Sequence, residues 1–223
     1  MELGSFTEEG ILEAVRRQYD EERADVEPRA DDTALVVVDM LDEFVKPGWS
    51  PLWVPEATRQ VPRIRALIDA FHEAGAPVVY LAYDLSLKGA NLRPLAHLPI
   101  GRSMGDVAAS LFQEVAIYEP LAPADQDYVV LKHSYSGFHE TALESVLRNL
   151  GIAKVVVCGT VTNYCCGATA REAFWRGFDV IFGSDVNSAD DPDLHEAELR
   201  TMRRGYARVM TASEITAALE VET

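Results

Sequence analysis

The chain has 223 residues, 48% hydrophobic and 25% charged, enough for one large globular domain with a sizeable core. Twenty Lys and Arg against thirty-six Asp and Glu leave a formal charge of −16, which argues against nucleic acid and anionic membrane as partners. No segment nears the roughly 18 consecutive apolar residues of a membrane span, and the acidic, amphipathic N-terminus does not read as a secretion signal, so the expected location is cytoplasmic.

Thr7 to Arg23 carries Ile11, Leu12, Val15 and Tyr19 along one stripe and predicts an amphipathic helix, followed by a polar linker. Residues 1–30 are therefore an N-terminal extension, expected to pack on the domain or on a second subunit, and residues 31–223 form the main domain. Ala34 to Val38 is a buried strand with Asp39 at its end. Desolvating that carboxylate is expensive unless something pairs with it, and by position alone it is equally a capping aspartate or a site residue. Asp42 and Glu43 are expected to be solvated. The loop from Lys46 to Pro55 is rich in Pro and Trp and is a candidate pocket wall, although Trp49 and Trp53 are equally read as surface anchors on the core.

Thr58 to Ala74 predicts a helix with Ile64, Leu67, Ile68 and Phe71 buried and Gly75 closing it. Pro77 to Tyr83 is the second strand. Residues 84–120 show the weakest periodicity and are expected to cap the pocket, with a short helix between Asp106 and Gln113. Asp127 to Leu131 is a third strand followed by Lys132, a lysine that by itself reads as solvent-exposed. Thr141 to Asn149 is a helix, and Ala153 to Cys158 a fourth strand in which Cys158 is a small buried hydrophobe. Phe178 to Asp185 holds a fifth strand, Leu194 to Tyr206 a helix, Ala207 to Met210 a sixth strand, and Ser213 to Leu219 a last helix capped by Ser213. Strands and helices alternate throughout, which predicts a single doubly wound α/β sheet with helices on both faces, a three-layer αβα sandwich.

The stretch from Gly159 to Glu172 joins the fourth strand directly to a helix. Thr162 and Asn163 are N-cap types, so Cys165 is expected in the first helical turn, where free N–H groups and the macrodipole favour a thiolate. Lowering a thiol pKa from about 8.5 to about 6 requires roughly 3.4 kcal/mol, whereas a helix terminus supplies at most about 2. A nearby cation and a proton acceptor are needed, and Lys132 and Asp39 are of the required types at the ends of other strands. The three cysteines contain no Cys-x-x-C pair, and Cys165 and Cys166 are adjacent, so no disulfide framework is expected and a redox pair would be a strained ring. Five scattered histidines have no His-x-x-x-His spacing, and neither metal nor cofactor is expected.

Three segments, Val-Val-Asp39-Met-x-x-x-Phe44, Lys132-x-x-Tyr-Ser-x-Phe138 and Gly159-Thr-x-Thr-Asn-x-Cys165-x-x-x-Thr-Ala-Arg171, together resemble the isochorismatase-like cysteine hydrolase superfamily, from about Thr33 to Ile215. The resemblance implies a six-stranded parallel sheet, a catalytic triad of Asp39, Lys132 and Cys165, and a cis peptide between Thr160 and Val161 that turns the Val161 and Cys165 N–H groups into an oxyanion hole. It also implies a homo-oligomer, a dimer or tetramer, and a small amide, ureido or carbamoyl substrate. Phe44 and Trp49 are candidates for the apolar wall and Tyr164 for the rim, while Asn163 is favoured as a cap. The nicotinamidase metal motif Asp-x-His is replaced by Asp84-Leu-Ser86, and the residue after Asp-Met, often Gln in the family, is Leu41. Isochorismatases proper, which cleave a vinyl ether, lack the nucleophilic cysteine, so its presence here favours C–N hydrolysis; ether hydrolysis and an idle binding subunit are the alternatives.

Overall fold

The computed structural model describes residues 6–21, 23–84 and 116–220. Six strands, β1 (Thr33–Val38), β2 (Val78–Tyr83), β3 (Tyr128–Lys132), β4 (Lys154–Thr160), β5 (Asp179–Ser188) and β6 (Arg208–Met210), form one parallel sheet in the order β3-β2-β1-β4-β5-β6. The chain steps outward from β1 to β2 and β3, then returns to the other side of β1 as β4, so the strand order reverses between β1 and β4. In doubly wound sheets ligands bind at that reversal, outside the carboxyl ends of the strands.

The helices are α1 (Glu8–Glu21), the single turn α2 (Asp42–Val45), α3 (Pro55–Glu73), α4 (Leu143–Asn149), α5 (Gly167–Trp175), α6 (Pro192–Gly205) and α7 (Ala212–Glu220). Both faces of the sheet are covered, which is why β1 is an unbroken apolar run. Ala34, Val36 and Val38 pack with Leu143 and Leu147 of α4, Ala170 and Ala173 of α5, and Leu199 and Met202 of α6. Leu35 and Val37 face the opposite layer with Ile64, Leu67, Ile68 and Phe71 of α3 and Ile215 and Leu219 of α7. Each fully buried Leu or Phe among these contributes about 1.5–3 kcal/mol by leaving water. Among the described residues no helix is long and apolar enough to cross a membrane.

Several expected boundaries shift for local reasons. The helix predicted from Thr58 begins at Pro55, a proline at the first helical position whose missing N–H costs nothing there. The last helix is capped by Thr211 rather than Ser213: the Thr211 hydroxyl accepts from the Glu214 N–H at 3.2 Å while the Glu214 carboxylate accepts from the Thr211 N–H at 2.8 Å, a capping box. Asp191 caps α6, accepting from Asp193 and Leu194 N–H groups. Strand β5 runs on to Ser188, past a register shift opposite Val157 and Gly159. The expected helix at 106–113 and most of the expected cap lie outside the described residues, but the segment leaving them is held beside β1. Leu41 and Ile117 form an antiparallel bridge, and Tyr118 N–H donates to Met40 carbonyl at 2.9 Å. The expected N-terminal helix is present as α1, with Ile11 and Leu12 half exposed.

Gly159 stands opposite Val38 in the β1–β4 register and has φ +129°. A Cβ there would lie 2.0 Å from the Val38 carbonyl oxygen and 2.8 Å from its nitrogen, so only glycine lets the two strands approach at this point. Gly159→Ala is therefore expected to lower stability by about 2–4 kcal/mol through backbone overlap and an unfavourable φ, read as a fall in urea midpoint with an unchanged m-value.

Candidate active site

Three of the expected residues converge at the carboxyl edge of the sheet. Asp39 follows β1 directly, with φ +47°, a left-handed geometry that costs a non-glycine residue about 1–2 kcal/mol and turns the chain sharply out of the strand. Its N–H still extends the β1–β2 ladder, donating to Leu81 carbonyl at 2.9 Å. Lys132 is the last residue of β3, two strands away. Cys165 lies on a single π-helical turn, Thr162–Cys166, between β4 and α5. All three are buried.

Lys132 Nζ joins the other two. It is 2.7 Å from Asp39 Oδ2, 3.5 Å from Cys165 Sγ, and donates to the Ser134 carbonyl at 3.0 Å. An ammonium has three N–H donors, and these three acceptors account for them. The ring of Tyr83, last residue of β2, has its centroid 4.7 Å from Nζ and adds a cation–π contact. Residues at the end of β2, directly after β1 and on the turn after β4 thus surround the cation that ends β3.

The protonation pattern differs from the simple expectation of a thiolate at a helix terminus. Burial, and next the Asp39 charge, push the Cys165 thiol up, and Lys132 offsets only part of this. Burial likewise raises Asp39, against the opposing pull of Lys132 and a hydrogen bond from Cys165. For Lys132 burial disfavours the charge, but Asp39 and Cys165 outweigh it and the net shift is upward. The 2.7 Å contact between Lys132 Nζ and Asp39 Oδ2 makes these two an ion pair, beside a thiol whose charged form burial disfavours. Neither Thr162 nor Asn163 caps the turn: the residue before it is Val161, with no side-chain cap, and the Thr162 hydroxyl instead pairs with His195 Nδ1 at 2.9 Å. Cys166, 0% exposed, turns into the core with Cys158 likewise enclosed.

The remaining expected residues divide. Tyr164 is half-buried and its ring lies 5.4 Å from that of Tyr135. Tyr135, within the Lys132 motif but given no role by it, is raised by burial and then by the Cys165 charge, which marks it as part of the same surroundings. Phe44 is partly buried and packs with Leu41, Ala82 and Tyr83. Trp49 is not drawn inward; it is 56% exposed, with Lys46 Nζ 4.2 Å from its ring centroid. Glu43, expected in solvent, is 5% exposed on α2, whereas Asp42 pairs with Lys46 at 3.1 Å. The peptide bond between Thr160 and Val161 is cis, as the resemblance implied.

Other motif residues brace these. The Thr169 hydroxyl accepts from Gly137 N–H at 3.0 Å, tying α5 to the loop after Lys132. Arg171 makes a two-pronged pair with Glu198 of α6, its Nη2 2.9 Å from Oε2, and stands over Tyr206. Phe138 packs in the core against Phe178.

Residues 33–214 match the isochorismatase domain family. Nicotinamidase 3 of Arabidopsis thaliana is 29% identical over 206 residues, covering 91% of this chain and 96% of its own. Among solved structures, a cysteine hydrolase from Pseudomonas syringae pv. phaseolicola superposes with a TM-score of 0.81 at 30% identity, over 90% of this chain and 98% of its own. N-carbamoylsarcosine amidase from Thermoplasma acidophilum gives 0.66 at 32% identity, over 81% and 96%.

Three outcomes follow from the ion pair and the raised thiol. Lys132→Met strands the Asp39 carboxyl without its partner and is expected to cost about 3–5 kcal/mol at neutral pH, part of it regained when Asp39→Asn is added. The folded pKa of Lys132 lies above its unfolded value of 10.5, so the parent keeps this contribution below about pH 10.5 and loses it as pH climbs through the folded value; urea midpoints across pH 7–11.5 check this. Iodoacetamide labelling of Cys165, followed by peptide mass spectrometry, is expected to be slower than for a free thiol at pH 7.5 and to keep accelerating beyond pH 9. A plateau near pH 7 would mean a resting thiolate.

Proposed function

The chain belongs to the isochorismatase family, and from that premise we propose that it is a cysteine hydrolase, metal-independent in its chemistry, that cleaves the C–N bond of a small amide, ureido or carbamoyl compound through a thioester. The observation that carries this reading is Lys132 Nζ held 2.7 Å from Asp39 and 3.5 Å from Cys165 in a buried site. An acid–base group, a cation and a nucleophile in mutual contact are the set that acyl transfer needs.

Asp39 accepts the thiol proton and Cys165 attacks the substrate carbonyl. Before transfer the three groups are carboxylate, ammonium and thiol; afterwards they are carboxyl, ammonium and thiolate. The net charge is unchanged, so the buried site need not acquire or lose a charge, and Lys132 stays beside whichever group is the anion. The Val161 and Cys165 N–H groups receive the oxyanion; a donor in this role is worth about 2.7–4 kcal/mol of barrier. Asp39 then protonates the departing ammonia or amine, and the thioester forms. Water attacks it, gives its proton to Asp39, and the thiol is restored. Phe44, Tyr164 and Tyr135 are the candidates for the pocket wall. Relatives named as a nicotinamidase and an N-carbamoylsarcosine amidase support C–N chemistry, and a nucleophilic cysteine in place favours it over vinyl ether cleavage.

The test is ammonia release from nicotinamide, N-carbamoylsarcosine and ureidoacrylate, and ring opening of a set of lactams, comparing parent protein with Cys165→Ala, Asp39→Asn, Lys132→Met and Cys166→Ala. One compound is expected to turn over, with each of the first three substitutions costing about 10⁴-fold or more in kcat and Cys166→Ala remaining active. Loss of activity in Cys166→Ala but not in Cys165→Ala would reassign the nucleophile, and cleavage of an added vinyl ether substrate, with none of these C–N compounds turned over, would move the reading to ether hydrolysis.

A further inference from the structure

The loop between β3 and α4 gathers a second set of chemically capable side chains, which the proposed reaction does not use. His133, directly after Lys132, together with His139 and Glu140 each offer one ligand atom, and these atoms all lie within 4.8 Å of one another. His133 Nε2 is 3.2 Å from Glu140 Oε2, and the two imidazole rings meet edge to face with centroids 6.2 Å apart. The loop builds this locally. Glu140 has φ +55°, and the Thr141 hydroxyl donates back to the Gly137 carbonyl, so residues 137–141 curl toward the end of β3.

We propose that His133, His139 and Glu140 bind one divalent transition-metal ion, with zinc as the best-matched, water completing its coordination. Two imidazoles and a carboxylate are a donor set that zinc favours, and borderline metals such as cobalt(II) and nickel(II) accept it as well. Ligand atoms about 2.1 Å from a tetrahedral ion stand about 3.4 Å from each other. The His133–Glu140 separation already meets this, and rotation of the exposed His139 and Glu140 side chains closes the rest. A hydrogen bond between His133 and Glu140 explains their own contact but gives no reason for His139 to join them. The site faces water, so an ion can reach it, and the strong negative charge of the chain raises the local concentration of cations. Bound there, the ion does no bond-breaking. It clamps residue 133 to residues 139 and 140, and so fixes the loop that carries the Ser134 carbonyl accepting from Lys132 and the Tyr135 ring beside Tyr164. The pattern escapes a search for His-x-x-x-His because the spacing of six and seven residues is bridged by a turn rather than by a helix.

The experiment is titration of the full chain with cobalt(II) followed by visible absorption, with zinc(II) as competitor and thermal unfolding in parallel. One equivalent is expected to bind, to give tetrahedral d–d bands without a sulfur charge-transfer band, to be displaced by zinc, and to raise the Tm. His139→Ala and Glu140→Gln, at exposed positions, are expected to weaken binding by more than about 10–100-fold, the loss that removing even an outer-sphere partner causes, and to abolish the Tm rise while keeping the parent circular dichroism. Cys165→Ala should bind as the parent does. No cobalt bound at 100 μM free ion, affinity unchanged in His139→Ala, or loss of binding only in Cys165→Ala would each overturn the proposal. Because the readout is metal occupancy, it stands or falls independently of which substrate the enzyme hydrolyses.

Discussion

Placing an ammonium and a carboxylate where water does not reach is the constraint on which the rest of this structure depends. Neither Lys132 nor Asp39 has any exposed side-chain surface, and they are 2.7 Å apart. A buried pair of this kind does not in itself raise stability, since desolvation of the two ions consumes most of what their attraction returns. Its value lies in what it does to a third group. With Cys165 against the same ammonium, a proton can move from sulfur to carboxylate without any change in the charge the protein must bury. Burial is what pushes the thiol up at rest, and under the proposed reaction the pair serves transfer on demand rather than a standing thiolate, which would be open to oxidation and stray alkylation.

The fold supplies this arrangement by topology. Asp39 and the Thr160–Val161 peptide diverge from neighbouring strands at the point where the strand order reverses. Gly159 lets β4 come close to β1 immediately before that divergence. The other motif residues around the three site groups are scaffolding when their contacts are traced. Thr169 pins the loop after Lys132 to the helix after Cys165, Arg171 locks that helix to the next one, and Phe138 anchors the same loop in the core. A substitution at any of them acts on chemistry only by displacing the loop or helix it holds.

The order of elements could be read along the chain because buried parallel strands are continuous β-branched runs. The three candidate site residues could not be picked out by position, where Asp39 read equally as a cap and Lys132 as exposed; they came from three motifs taken together. Helix boundaries were less legible. The cap of the last helix went to Thr211 because its hydroxyl and the Glu214 carboxylate satisfy each other, which Ser213 lies too far into the helix to do. Glu43 read as solvated beside Asp42, yet on α2 it is buried. Trp49 read equally as pocket wall and as surface anchor from its loop, and it is exposed beneath Lys46.

Sequence by itself determined the alternation of strands and helices, the doubly wound class, and which side chains stand at strand ends, since each of these depends on periodicities and spacings of a few residues. Only the tertiary structure decided that β3 lies two places from β1, so that residues 93 positions apart, Asp39 and Lys132, meet across the end of β2. It alone decided the direction in which the Cys165 thiol shifts, because burial and the distances to two opposite charges set that sign. It alone brought His133 round to His139 and Glu140. Electrostatics and ligation depend on distance in space, and the chain records only distance along itself.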